Sequence, residues 1–240
     1  MKKVTTTVNK QLMTKDGAVI AYQVLGQHHK EVVLFLHGNS QNHHYFVKQK
    51  KRFSQQFKTI WLDTRDHGRS NNPQSSLTFE MVIEDLYELI EQEQLKKLSI
   101  VGFSDGANIA LLFATHYPEY IQKLVLVSPN VTVSGLKKSQ RIKTERLLKG
   151  LKRFRLNKFA RRLQLSLTET GLTRQDLQKL RCPILLVQGD RDVIYTHHLQ
   201  AIADQLSQSQ LEIVNYTGHS VPFLRPRWFN ERVLSFLMEG

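Results

Sequence analysis

A serine flanked by two glycines is the feature of this sequence best suited to covalent catalysis. It lies in Gly102-Phe103-Ser104-Asp105-Gly106, directly after an apolar run at 98–101 and before a segment with helical period. A sharp turn between a strand and a helix exposes the serine hydroxyl, and glycines relieve the crowding of such a turn. The alternative interpretation is a serine that caps a helix beside two turn glycines. The position between strand and helix favours a nucleophile.

A serine hydroxyl needs a base to become a good nucleophile, and that base needs an acid to orient it. Gly189-Asp190-Arg191-Asp192 follows an apolar run at 184–187, and Gly218-His219-Ser220 follows another at 211–214. The chain order Ser…Asp…His is one of the known orders of a catalytic triad. We therefore predict that Ser104, His219 and one of the two aspartates meet at one edge of a sheet.

A sheet whose strands end at the same edge is required to bring these side chains together. Short apolar runs, each followed by polar residues or glycine, lie at 32–36, 59–62, 98–101, 124–127, 184–187 and 211–214. Unbroken runs of this length are typical of strands buried on both faces of a parallel sheet. Segments with helical period lie at 77–93, 106–116, 197–206 and 226–238. This alternation predicts an α/β fold with a doubly wound, mostly parallel sheet that binds ligands beyond the strands' carboxyl ends.

Two stretches depart from the alternation. Runs at 8–13 and 18–25 flank Asp16-Gly17, a dipeptide typical of tight hairpin turns. Residues 131–180 contain no strand-like run, but apolar side chains recur there at helical spacing. They are Leu147, Leu148, Leu151 and Phe154, then Phe159 and Leu163 after a break near Asn157. We predict a core of residues 1–130 and 181–240, with a helical cap of residues 131–180 inserted between two core strands.

The net charge of +13 is concentrated in the predicted cap. Residues 131–181 contain 15 Lys and Arg against 3 acidic residues, whereas the rest of the chain is nearly neutral. Such a surplus could attract an acidic substrate, an anionic membrane surface or nucleic acid, or it could be the solvated face of a cap helix. We favour the solvated face and expect no nucleic-acid partner. A weak contact of the cap with anionic surfaces stays open.

The motifs resemble those of the α/β-hydrolase superfamily over nearly the whole chain. Leu36-His37-Gly38-Asn39 resembles the family's oxyanion loop after the third strand, and residues 63–70 resemble its loop after the fourth strand. Ser104 matches the family's nucleophile elbow, and Gly218-His219 matches its histidine loop. The resemblance implies an α/β-hydrolase fold with a short helical cap after the sixth core strand. It also implies that Asp192, rather than Asp190, is the acid, because the family's acid is the second aspartate of its G-D-x-D pattern.

The resemblance extends to residues around the triad. It implies that the backbone N–H groups of Asn39 and Asp105 form the oxyanion hole. His43 and Phe103 are candidates for the substrate pocket, although a surface or helix-start role is an equal alternative for His43. The chain departs from the family at Asp66, which replaces a glycine of the fourth-strand loop and could alter the pocket's polarity or cap a turn.

Composition limits the setting in which the protein works. The single cysteine, Cys182, cannot form an internal disulfide, which fits a reducing compartment. Residues 1–10 contain no apolar run typical of a secretory signal, and no stretch approaches the length of a membrane span. We expect a cytoplasmic protein. Neither a cofactor nor a metal is expected, because the proposed chemistry needs none and adjacent histidines point apart.

These features together predict a serine hydrolase. We expect it to cleave a carboxylic ester, or a related acyl bond, of a small to medium substrate through an acyl-enzyme on Ser104. Carbon–carbon bond hydrolases, enol-lactonases, thioesterases and lyase-like enzymes use the same triad and remain alternatives. A non-catalytic relative that senses a ligand or binds a partner is the alternative from another class.

Overall fold

An eight-stranded sheet forms the centre of the computed structural model, which describes residues 6–239. The first five residues, part of the segment assessed for a secretory signal, lie outside the described residues. The spatial order of the strands is β1-β2-β4-β3-β5-β6-β7-β8. The strands are β1 Val8–Met13, β2 Val19–Leu25, β3 Val32–Leu36, β4 Lys58–Leu62, β5 Leu98–Phe103, β6 Ile121–Val127, β7 Ile184–Gly189 and β8 Ser209–Val214.

The sheet is antiparallel only at its amino-terminal edge. Strand β2 pairs antiparallel with both β1 and β4, and the other five strand pairs are parallel. Gly17, between β1 and β2, has a φ of +85°, a conformation that glycine adopts without strain. The predicted hairpin and the predicted mostly parallel sheet are both confirmed.

Helices cover both faces of the sheet, as a doubly wound fold requires. They are α1 Val47–Phe53, α2 Phe79–Gln92, α3 Asp105–His116, α4 Lys138–Arg153, α5 Asn157–Leu165, α6 Arg174–Lys179, α7 Thr196–Ala203, α8 Val221–Leu224 and α9 Pro226–Met238. The side chains of β3 alternate between two cores: Leu34 belongs to the core that includes residues of α2, α3 and α7, while Phe35 belongs to the core that includes residues of α1 and α9. This two-sided burial explains why the central strands are unbroken apolar runs.

Helices α4, α5 and α6 lie between β6 and β7 and form the insertion that we call the cap. The predicted break is present, because α4 ends at Arg153 and α5 begins at Asn157. The prediction of one packed apolar face is wrong in part. Leu148 is buried, but Leu147, Phe154 and Phe159 are exposed to solvent. Helical spacing predicts which residues share a face, but not whether another element covers that face.

No helix within residues 6–239 combines the length and the hydropathy needed to cross a bilayer.

Candidate active site

Ser104 occupies a sharp turn between β5 and α3. Its φ of +54° is unusual for a residue with a side chain. The strained backbone is held on both sides, since Ser104 N donates to Val127 O at 2.8 Å and Ala107 N donates to Ser104 O at 2.8 Å. Parallel pairing of β5 and β6 thus presents Ser104 at the carboxyl edge of the sheet.

The two glycines of the pentapeptide are required because backbones approach closely at this turn. A Cβ atom on Gly102 would lie 2.4 Å from the carbonyl oxygen of Gly106. A Cβ atom on Gly106 would lie 2.2 Å from the carbonyl oxygen of Leu36, at the end of β3. Any side chain at either position would therefore displace the serine or the neighbouring strand.

Ser104, His219 and Asp192 form one line of hydrogen bonds. The Nε2 atom of His219 lies 3.1 Å from Ser104 Oγ, and its Nδ1 atom lies 2.7 Å from Asp192 Oδ1. Because Nδ1 must carry the hydrogen that bonds to the carboxylate, Nε2 is left free to accept the serine hydrogen. Asp190, in contrast, is exposed and accepts the backbone N–H of Thr217 at 2.9 Å.

The carboxylate of Asp192 is kept charged in a buried place. Burial alone would raise its pKa, but hydrogen bonds from His219, Ser128 and the backbone of Ile194 outweigh this effect and lower the pKa. The Oγ of Ser128 donates to Asp192 Oδ2 at 2.6 Å. Sequence reasoning missed Ser128, although its place directly after β6, at the same edge of the sheet, was a usable signal.

Asn39 and Asp105 lie side by side next to the serine. The side-chain Nδ2 of Asn39 donates to Asp105 Oδ2 at 2.8 Å, so the loop after β3 is fastened to the first residue of α3. The first N–H groups of a helix have no partner within the helix, so this end of α3 offers donors to an anion. Burial raises the pKa of the Asp105 carboxyl to about 6.

The cap reaches this site through α5. Asn39 Nδ2 also donates to the carbonyl oxygen of Arg162. The neighbouring Arg161 donates Nε and Nη2 to the two carboxylate oxygens of Asp66, at 3.0 and 2.9 Å. Asp66 has a φ of +66°, which suits the family's glycine at this position. Its side chain therefore binds the cap.

His37 and His43 have buried structural contacts. His37 accepts the backbone N–H of Thr64 at Nε2, 3.1 Å away, and burial lowers the pKa of this histidine to about 4. The Nδ1 of His43 lies 2.8 Å from Asp63 Oδ1, and His43 borders a cavity of about 270 Å³ beside β1 and β2. None of the contacts described for His43 involves the triad.

Phe103 lies directly against the triad. Its ring centroid is 4.8 Å from that of His219 and 4.6 Å from that of Tyr45, on which it stacks. Phe103 is buried, and its ring packs against the imidazole of His219. Within the described residues, 6–239, no group of three or more His, Cys, Asp or Glu side chains is arranged to hold a metal ion.

Comparison with known proteins gives the fold and the general class. A family model described as alpha/beta hydrolase fold matches residues 31–168. The Bacillus subtilis protein named "Putative 2-succinyl-6-hydroxy-2,4-cyclohexadiene-1-carboxylate synthase" is 28% identical over 96% of this chain and 98% of its own. Human serine hydrolase BPHL is 26% identical, covering 97% of this chain and 87% of its own. The solved structure of carboxylesterase CesB from Bacillus subtilis has a TM-score of 0.82 and 20% identity, over 98% of this chain and 93% of that chain.

Proposed function

We propose that this chain, which belongs to the α/β-hydrolase fold family and is a serine hydrolase of that fold, cleaves a carboxylic ester of a small to medium substrate. The observation that carries the proposal is the line of hydrogen bonds from Ser104 through His219 to Asp192. Its geometry leaves Nε2 of His219 ready to accept the hydrogen of the serine hydroxyl.

The first half of the reaction forms an acyl-enzyme. Ser104 Oγ attacks the ester carbonyl while Nε2 of His219 takes the hydroxyl proton, and Asp192 stabilises the imidazolium that results. The backbone N–H groups of Asn39 and Asp105 bind the oxyanion of the tetrahedral intermediate. A single such donor contributes about 2.7–4 kcal/mol of transition-state stabilisation in serine hydrolases. His219 then gives its proton to the alkoxide, and the alcohol leaves.

The second half of the reaction returns the enzyme to its starting state. Water loses a proton to His219 and attacks the acyl carbonyl, while the same N–H groups bind the second oxyanion. The bond to Ser104 Oγ breaks, and the oxygen regains its proton from His219. The free acid leaves, and no group other than water is consumed.

Ser104→Ala provides the direct test. We expect a fluorophosphonate probe to label the wild-type protein and the exposed-serine control Ser134→Ala, but not Ser104→Ala. Hydrolysis of p-nitrophenyl acetate should fall by about a millionfold in Ser104→Ala, to background, because the attacking oxygen is gone. The measurements are the mass of the labelled protein and the steady-state rate. A folded wild-type protein that stays unlabelled and hydrolyses no ester would contradict the proposal.

A lyase-like reaction is the second candidate, since the Bacillus subtilis relative is named as a synthase and matches along nearly its whole length. In such a reaction the Ser104–His219 pair would act as a base on the substrate without acyl transfer. Rapid acid quenching during turnover separates the two functions. An ester substrate should leave its acyl mass on Ser104, whereas a lyase substrate should leave the serine unmodified while product accumulates.

A further inference from the structure

The part of the cap where α4 meets α5 is exposed to solvent. Residues 152–159, which we call the cap tip, include the end of α4, the connecting turn and the start of α5. Phe154 is 74% exposed, Phe159 50% and Leu156 45%. Exposed aromatic and aliphatic side chains clustered within eight residues are characteristic of a surface that a partner covers.

Cations surround the apolar residues of the cap tip. The segment contains Lys152, Arg153, Arg155 and Lys158, and no acidic residue. Leu147, which is 54% exposed, lies seven residues before Phe154 and so extends the apolar strip along the same face of α4. The Arg162 guanidinium lies over the Phe159 ring, with 5.1 Å between the guanidinium carbon and the ring centroid.

We propose that the cap tip docks on the surface of a bilayer containing anionic phospholipids. Phenylalanine and leucine side chains enter the boundary between headgroups and acyl chains, and the lysines and arginines bind the lipid phosphates. The charge argues against a second copy of this chain, since two cap tips would repel each other. The exposed leucines argue against nucleic acid, because aliphatic side chains do not stack on bases.

The docking surface and the active site share one helix. Arg162, whose carbonyl oxygen accepts Nδ2 of Asn39, lies three residues after Phe159 on α5. At 1.5 Å of rise per residue, these two positions are separated by about 5 Å along the helix axis. A bilayer bound by the cap tip would therefore lie about one helical turn from the residue that contacts the loop after β3.

Vesicle sedimentation tests the proposal, and it uses Ser104→Ala protein so that lipid hydrolysis does not interfere. We expect binding to vesicles of mixed phosphatidylglycerol and phosphatidylcholine, and little binding to phosphatidylcholine alone. Arg153→Glu with Lys158→Glu should weaken binding by at least about twenty-five-fold, since each of the two cations near an anionic leaflet contributes about fivefold. Phe154→Ser should weaken binding by about tenfold, because an aromatic side chain no longer enters the lipid.

Two control variants separate the cap tip from general effects. Lys96→Glu with Lys97→Glu changes the net charge equally, on an exposed loop at the opposite edge of the sheet. Met13→Ser removes a side chain of similar exposure, 68%, from β1. Both should bind as the parent does, and thermal unfolding should show every variant folded. Absence of sedimentation with anionic vesicles, or equal losses in the two double variants, would overturn the proposal. The proposal would also be overturned if Arg153→Glu with Lys158→Glu bound a short DNA duplex more weakly than the parent does but bound anionic vesicles equally well.

Discussion

The two aspartates of the 189–192 motif have different surroundings although they are two residues apart. Asp192 is buried and accepts from His219 at 2.7 Å, whereas Asp190 is exposed and accepts a backbone N–H group. An amide at position 192 would fix the wrong tautomer of His219, whereas an amide at position 190 would not reach the histidine. The pair therefore provides a matched test of the acid.

We predict that Asp192→Asn lowers kcat for ester hydrolysis by about 10⁴-fold, as expected for loss of the orienting carboxylate of a triad. Asp190→Asn should change kcat by less than about threefold, since its side chain touches no catalytic group. Steady-state kinetics with p-nitrophenyl acetate would measure both. Similar losses in the two variants would mean that the loop, rather than the carboxylate, is responsible.

Asp105 gives a pH-dependent contribution to stability. Its pKa is raised by burial from 3.8 in the unfolded chain to about 6 in the folded state, so the folded state binds the proton more tightly. The resulting stabilisation is complete below about pH 4 and is lost as the pH rises through 6. Asp105→Asn carries no such proton. The free energy of unfolding of Asp105→Asn should therefore increase relative to that of the wild type by about 2 kcal/mol between pH 4 and pH 7.

Urea unfolding at several pH values would measure this difference. Asp190→Asn should show almost no slope in this range, because hydrogen bonds from the backbone of Tyr216 and Thr217 lower the pKa of that carboxyl and its contribution is lost only as the pH falls below about 4. If the difference in free energy of unfolding between Asp105→Asn and the wild type stayed constant from pH 4 to pH 7, burial would not raise the pKa of the Asp105 carboxyl.

The roles of residues within recognisable motifs could be predicted from the sequence, whereas the roles of residues outside such motifs could not. Ser104 and His219 could be found because glycines and strand ends mark their positions. Ser128 also follows a strand, but no sequence motif marks its contact with Asp192, and the bridging side chain of Asn39 has no such mark either. Asp66 was noticed as a departure, but its partner lies 95 residues away.

At the level of elements, one ion pair fastens the cap to the core. Asp66 is buried in the loop after β4, and Arg161 lies on α5. Asn72 also donates to Asp66, at 3.1 Å, so the carboxylate has a partner in the core as well as one in the cap. Asparagine, like aspartate, tolerates a positive φ better than most residues with a side chain, so Asp66→Asn removes the charge without adding strain to the loop.

We predict that Asp66→Asn increases tryptic cleavage of the cap by about tenfold, since opening becomes easier when a bidentate charged pair is lost. Glu145→Gln is the control, because it removes a carboxylate that lies 3.8 Å from Arg141 on the exposed face of α4. Limited digestion with mass spectrometry would locate and time the cuts. Equal rates in the two variants would show that the Asp66 pair does not hold the cap closed.

Elements with a periodic apolar pattern were predictable, and those without one were not. The buried strands and α2, α3 and α9 followed from their patterns. Helix α1 was missed because only Gln49 and Phe53 of its seven residues are buried, and most of the others are charged. Helix α6 was missed although Thr173 and Asp176 form a capping box that is visible as a short sequence pattern.

At the scale of the whole molecule, positive charge is concentrated on the side that covers the active site. Residues 131–181 hold 15 of the 34 Lys and Arg residues and only 3 of the 21 acidic residues. A charged surface next to a site raises the local concentration of an oppositely charged substrate, and salt screens this effect.

We predict that kcat/KM for an ester with an anionic acyl group, such as p-nitrophenyl hemisuccinate, falls by about tenfold between about 0.01 and 0.15 M salt. The value for neutral p-nitrophenyl acetate should stay constant. Stopped-flow or steady-state kinetics over a salt series would give both values. Parallel declines for the two esters would indicate that salt acts on the enzyme rather than on attraction of the substrate.

The amide of Asn39 has a practical consequence for anyone who exchanges caps between relatives of this chain. One nitrogen donates both to Asp105, at the start of α3, and to a backbone carbonyl of the cap, so it links the loop after β3 to both of them. A transplanted cap must therefore place an acceptor where the Arg162 carbonyl lies. A graft that only matches the shape of the opening would leave that amide hydrogen unbonded, and substrate preference and turnover would then change together.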